Sequence, residues 1–169
     1  DMDICHIVGA GDFRAELFCP EPGDFVIAVD AGVLRCPNPH AVVGDFDSLG
    51  RVPEGENVYR HPKMKDDTDM MLAVKLALSR GHQTLLLHGG TGGRPDHTMA
   101  NYQALAYIES RGAQGYLMGA QTATCISRGV LRFDSGRRGL LSVFAHGGAA
   151  LGVGLRGLLY PLENHTLTC

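Results

Sequence analysis

The sequence predicts an α/β fold: a mostly parallel nucleotide-binding α/β domain over residues 1–119, then a small antiparallel β-sandwich over residues 120–169. Three observations carry this expectation. Short apolar runs alternate with helical patterns as far as Met118, the pattern of βα units. Glycine supplies 23 of 169 residues, roughly twice the usual share, so many tight loops are implied. After Gly119 no long helical pattern remains, and β-like runs recur at roughly ten-residue spacing.

Ile4 to Val8 reads as the first strand and ends in Gly9-Ala10-Gly11, with a short helix expected over Asp12 to Phe18. Phe25 to Val29, Ala41 to Val43 and Val58-Tyr59 read as further strands. Asp66 to Arg80 predicts a helix through Leu72, Ala73, Leu76 and Ala77, closed by Gly81. Thr84 to Leu87 is a strand. Pro95 to Arg111 is a second long helix, with Pro in its first turn and Gly112 past its end. Tyr116 to Met118 completes the parallel set. Thr122 to Ile126, Val130 to Phe133, Leu140 to Ala145 and Val153 to Leu159 are the expected β-domain strands. Fifty residues make a thin sandwich, so that domain is expected to lean on another surface or to lack its last strands.

Composition narrows the functions. The net charge is −3, which gives no broad attraction to nucleic acid or an anionic membrane. No apolar run approaches a membrane span, and no signal peptide is expected behind the acidic opening Asp1-Met2-Asp3. Five cysteines without a CxxC point to reduced thiols and a cytoplasmic setting. The opening residue is Asp rather than Met, consistent with a missing N-terminal residue. The histidines show neither H-x₃-H nor HExxH spacing, so zinc is not expected.

The chemistry concentrates at strand ends, where open α/β sheets bind ligands. Asp45 and Asp47 lie two apart in what reads as extended backbone, so their carboxylates are expected on one side. Such a pair repels itself unless a cation intervenes, and hard oxygens suit Mg²⁺; an acidic turn is the plain alternative. In Lys65-Asp66-Asp67-Thr68-Asp69, Asp66 and Asp69 share a face if the helix has begun. One acid would suffice for helix capping, and three exceed that need. In Gly89-Gly90-Thr91-Gly92-Gly93-Arg94-Pro95-Asp96-His97, four glycines precede a helix N-terminus. Such a loop can turn its N–H groups onto a phosphate, with Arg94 as a planar fork. It is neither a Walker A loop nor GxGxxG. Lys65 is read as a solvated surface lysine or a phosphate contact. Asp96 could cap, bind substrate or accept a proton. Together these features suggest phosphoryl-type transfer from a nucleotide and leave the acceptor unnamed.

Asp30-Ala31-Gly32, Gly44-Asp45-Phe46-Asp47-Ser48, Lys65 to Asp69, and Gly92 to His97 with Asn101 stand in the order and spacing of one family. Together they resemble the thiamine pyrophosphokinases, and Gly157 to Leu162 adds a weaker match. Ala31 stands where that family usually has a second Gly. The resemblance implies ATP as co-substrate, Mg²⁺, thiamine as acceptor, thiamine diphosphate and AMP as products, and a homodimer with thiamine between subunits. It implies metal ligation by Asp45, Asp47, Asp66 and Asp69. Nucleotide contacts would come from Asp30, Gly32, Ser48, Lys65, Asp66, Thr68, Gly90, Thr91, Gly92, Gly93 and Asn101. Asp45, Asp47, Asp69, Arg94 and Asp96 would be the catalytic set. The family continues beyond Tyr160-Pro161-Leu162 with closing strands, so the sandwich is expected to be incomplete at Cys169.

Two rival readings remain. A haloacid-dehalogenase-type phosphatase would use Asp45 as nucleophile, but its Asp-x-Asp normally ends the first strand. A non-catalytic nucleotide-binding module would gain nothing from clustered carboxylates.

Overall fold

β1 (Ile4–Val8) is the central strand of a seven-stranded sheet. In this computed structural model the described residues are 4–47, 50, 54–55, 57–60 and 66–168. Beside β1 on one side run β2 (Phe25–Val29), β3 (Ala41–Gly44) and β4 (Val58–Arg60). On the other side run β5 (Thr84–His88), β6 (Gln114–Met118) and β7 (Thr122–Thr124). All neighbours are parallel except β7, which returns antiparallel on β6. The chain thus moves outward from β1 to β4, then resumes at β5 on β1's other edge. That makes β1/β5 a topological switch point, where open α/β sheets leave a crevice outside their carboxyl ends.

Strand alternation divides the core in two. Cys5, Ile7, Ile27, Val29, Val43, Leu85 and Leu87 face one side, against the two long helices. α1 (Asp69–Ser79) contributes Met70, Ala73, Val74 and Ala77; α2 (Pro95–Ser110) contributes Ala104, Leu105 and Ile108. Val8, Val26, Ala28 and Val42 face the other side, under Phe13, Phe18, Val33, Cys36 and Phe46. His6 and His88 are buried beside that second layer, stacked 5.3 Å apart with Phe18 edge-on to both.

Helix boundaries follow their caps. α1 begins at Asp69, because the Thr68 hydroxyl accepts the Met71 N–H at 3.2 Å and so caps the helix. Asp66 therefore precedes the helix, and its expected face-sharing with Asp69 does not occur. The helix expected over Asp12 to Phe18 is a single 3-10 turn, Ala15–Leu17. A second 3-10 helix, Asp30–Leu34, follows β2 directly.

The first compact unit runs to Val130, and the second spans Leu131–Cys169. This boundary falls later than residue 120, because β7 hydrogen-bonds to β6 and belongs to the first sheet. The second unit holds an antiparallel pair, β8 (Ala150–Leu155) and β9 (Leu162–Leu167), with register shifts around Val153. Among the described residues this is one small antiparallel sheet of two strands. Val130 to Phe133 and Leu140 to Ala145 form no strands. Their apolar, β-branched and aromatic residues suit a sheet, but no strand among the described residues is paired to them, and Val130, Leu140 and Phe144 stand exposed. No helix among the described residues is long and apolar enough to cross a membrane.

Candidate functional site

Three carboxylates meet at the carboxyl ends of β2 and β3. Pairing of Val29 with Val43 brings Asp30 beside Gly44, each just beyond its partner in the ladder. Asp30 takes a left-handed backbone conformation (φ 47°), which Asp tolerates better than most residues. Its Oδ1 accepts the Phe46 N–H at 3.3 Å. Phe46 is itself left-handed (φ 61°) and buried, which anchors the turn after β3. α1 supplies Asp69 from its first turn. One oxygen from each of Asp30, Asp45 and Asp69 lies within 4.8 Å of the others, and all three side chains are half-buried. Burial, followed by the charge of Asp69 and more weakly that of Asp45, pushes the Asp30 carboxyl up to about 6; the Phe46 N–H partly opposes them. An all-carboxylate donor set this close, with its charge held at a cost, fits a hard divalent cation.

The trio differs from the expected set. Asp47 and Asp66 are exposed and lie outside it. Asp45 and Asp47 do not project together from extended backbone, because the chain turns at Phe46; the Asp47 N–H instead donates to Asp45 Oδ1 at 3.0 Å. Asp30, expected as a nucleotide contact, takes its place among the carboxylates. The sequence signal was available: two parallel strands ending in Asp-Ala-Gly and Gly-Asp become neighbours once β2 and β3 pair.

The glycine-rich half lies at the switch point. The loop after β1 is zipped to the loop after β5 by three backbone hydrogen bonds: Gly9 N–H to His88 O (2.8 Å), Gly11 N–H to Gly89 O (2.8 Å) and Asp12 N–H to Thr91 O (2.7 Å). Asn101 is buried in α2, and its Nδ2 donates to Gly90 O at 2.6 Å. It thereby holds the loop from behind, and Gly90 is buried with it. Gly32 is buried in the second 3-10 helix, and Thr68 serves as the α1 cap. Gly92 and Gly93 are exposed and left-handed, and Thr91 is half-buried. Arg94 and Asp96 form an exposed two-pronged ion pair, Nε–Oδ1 3.1 Å and Nη2–Oδ2 2.5 Å. That pairing holds the Asp96 carboxyl below its usual range and the guanidinium above its own. Gly92, Gly93, Pro95, Thr98, Met99 and Tyr102 line an adjacent groove of about 320 Å³. Ser48 and Lys65 lie outside the described residues.

The carboxylates and glycine loops are separated across β1 by about two strand spacings, roughly 10 Å. One end of this rim can neutralise a polyanion through a cation. The other offers backbone N–H groups, a helix N-terminus and a guanidinium.

Comparison with known proteins follows the same lines. The family model described as thiamin pyrophosphokinase, catalytic domain, matches residues 21–117. The thiamine pyrophosphokinase of Bacillus subtilis (strain 168) is 34% identical over 86 residues, 47% of this chain and 38% of that protein. The chain thus spans well under two thirds of that relative's length. The crystal structure of Bacillus subtilis thiamine pyrophosphokinase superposes with a TM-score of 0.83 at 25% identity, over 98% of this chain and 85% of the other. That of Geobacillus thermodenitrificans thiamin pyrophosphokinase gives 0.74 at 22% identity, over 98% and 83%, a likeness of fold.

Proposed function

The chain belongs to the thiamin pyrophosphokinase family through its catalytic domain, and from that premise we propose that it transfers the pyrophosphoryl unit of ATP to the hydroxyl of thiamine, giving thiamine diphosphate and AMP. The observation that carries the reading is the trio of Asp30, Asp45 and Asp69 on the same rim as a glycine-rich loop and a helix N-terminus.

Asp30, Asp45 and Asp69 would hold Mg²⁺, which when bound neutralises charge on polyphosphate oxygens. The amides around Thr91 to Gly93 and the Arg94 fork grip the polyphosphate. As Arg94 turns to phosphate, Asp96 loses its partner, and its carboxylate is freed to accept the thiamine hydroxyl proton. The thiamine oxygen bonds to the β-phosphorus as the bond from the α,β-bridging oxygen to the β-phosphorus breaks, and AMP leaves with the electron pair. Holding the two substrates in line supplies most of the rate, because loose phosphoryl transfer needs little covalent help. The first unit, to Val130, would serve as the ATP-binding part and the second, from Leu131, as part of the thiamine site, completed in a cytoplasmic homodimer by a second copy.

Incubating the protein with ATP, Mg²⁺ and thiamine and measuring all nucleotide products tests the reading. AMP in equal amount to thiamine diphosphate is expected. Thiamine-dependent ADP in its place would mean single phosphoryl transfer and would overturn it.

A further inference from the structure

We propose that Arg35 is a positioning residue that locks the two glycine loops together and fixes their distance from the carboxylate trio. Arg35 directly follows the 3-10 helix Asp30–Leu34, and its N–H donates to Gly32 O at 3.0 Å. The short helix therefore begins with a carboxylate of the trio and ends at this arginine. The guanidinium Nη1 donates to Gly9 O at 3.3 Å and also to Gly11 O. Its carbon lies 5.4 Å from the centre of the Phe13 ring, and Phe13 in turn packs on Phe18 and His88.

The same side chain reaches the second loop. Gly89 is left-handed (φ 63°); a Cβ there would overlap Gly9 O and come within 3.2 Å of Arg35 Nη1. The guanidinium thus sits where the β1 loop crosses the β5 loop. Its two acceptors alternate with the amides of Gly9 and Gly11, which bond to the β5 loop. One side of the β1 loop is held by Arg35 and the other by His88 and Gly89. A charged donor on two carbonyls is stronger than a neutral one, and the two N–H bonds of the single Nη1 serve both acceptors. Removing it leaves those carbonyls to water and frees the loop to separate from Gly89. The phosphate-facing amides beyond Gly89 would then lose their fixed position.

This inference rests on the nucleotide reading above only for its consequence, not for the lock itself. Arg35→Met and Arg35→Lys, made in the full chain, test both parts. Amide exchange followed by NMR reads the lock, and titration with a fluorescent ATP analogue plus Mg²⁺ reads the consequence. In Arg35→Met, exchange at Gly9, Gly11 and Asp12 is expected to accelerate about tenfold or more, while Ala28 and Val42 stay protected. Nucleotide affinity should fall about tenfold, with KM for ATP affected more than kcat. Arg35→Lys, which keeps the charge but not the planar guanidinium that carries Nη1 to both carbonyls, should recover part of both and serves as the working variant if the methionine form does not fold. Unchanged exchange in a folded variant overturns the lock. Faster exchange with undiminished nucleotide affinity overturns the link to the site. If the unmodified protein binds no magnesium nucleotide, the parent reading fails, and the exchange result still decides the lock.

Discussion

Gly44 has no side chain because Asp30 occupies its place: a Cβ on Gly44 would overlap the Asp30 carboxylate oxygen Oδ1. The residue that ends β3 thus creates the room into which the residue after β2 turns its charge. Gly44→Ala should cost about 1–3 kcal/mol of stability through this overlap and its φ of +157°. It should also abolish stabilisation by Mg²⁺. Thermal melts with and without Mg²⁺ check both parts; an alanine variant that still gains stability from the cation would contradict the packing.

The raised Asp30 carboxyl predicts a gain of stability on neutralisation. Its folded pKa of about 6 lies above the ordinary 3.8, so the folded state holds the proton more tightly. Stability from this group is full below pH 3.8 and is lost as pH rises toward 6. Asp30→Asn keeps an oxygen for the Phe46 N–H and removes the charge. At pH 7.5 without metal it should be about 1–2 kcal/mol more stable, allowing for solvent screening of a half-buried group. Its turnover should fall by about 10²-fold or more. Urea unfolding and product assays on one preparation test this; an Asp30→Asn protein less stable than the parent at every pH would refute the repulsion.

The His6–His88 pair predicts the opposite pH dependence. His6 Nδ1 lies 3.1 Å from His88 Nε2, and His6 Nε2 lies 3.2 Å from Asp24 Oδ2. Burial first, then the charge of His6, pulls His88 down to about 4. Burial also lowers His6 despite the opposing Asp24. As pH falls from 6.5 to 4 the unfolded chain takes up a proton that folded His88 refuses. Up to about 3 kcal/mol of stability should be lost across that window. The slope of unfolding free energy against pH should flatten in His88→Asn; an identical slope would show the pair is not responsible.

Asn101 predicts a loop effect at a distance. Asn101→Asp replaces the amide donor facing Gly90 O with an acceptor. Destabilisation of about 2–3 kcal/mol is expected from the buried mismatch. Nucleotide affinity should weaken too, because Gly90 loses its anchor. Calorimetric titration of a magnesium nucleotide at a temperature where the variant is folded measures it; full affinity would place the loop's support elsewhere.

The parallel sheet was legible because β1, β2, β3, β5 and β6 are largely apolar runs closed by Gly or Asp, and each long helix carries its own start and stop. The glycine loop was legible for the same reason: four glycines before Pro95 have few other uses. The choice of carboxylates was not. Asp45 and Asp47 look equivalent until Phe46 adopts its left-handed turn, and Asp30 joins Asp45 only through the pairing of the successive strands β2 and β3. Asp66 was expected to open the helix that runs through Leu72 and Leu76, yet the Thr68 hydroxyl takes the cap and the helix starts at Asp69. The second unit was least legible. Leu140 to Ala145 is a β-like apolar run, but such a run reports the fitness of a segment for a partner strand and not the presence of one.

Anomalous diffraction from crystals grown with Mn²⁺ and a non-hydrolysable ATP analogue would test the cation site most directly. A peak is expected within coordination distance of Asp30, Asp45 and Asp69, with the phosphates running toward Thr91 to Arg94. A nucleotide bound with its manganese elsewhere, and those three carboxylates uncoordinated, would contradict it.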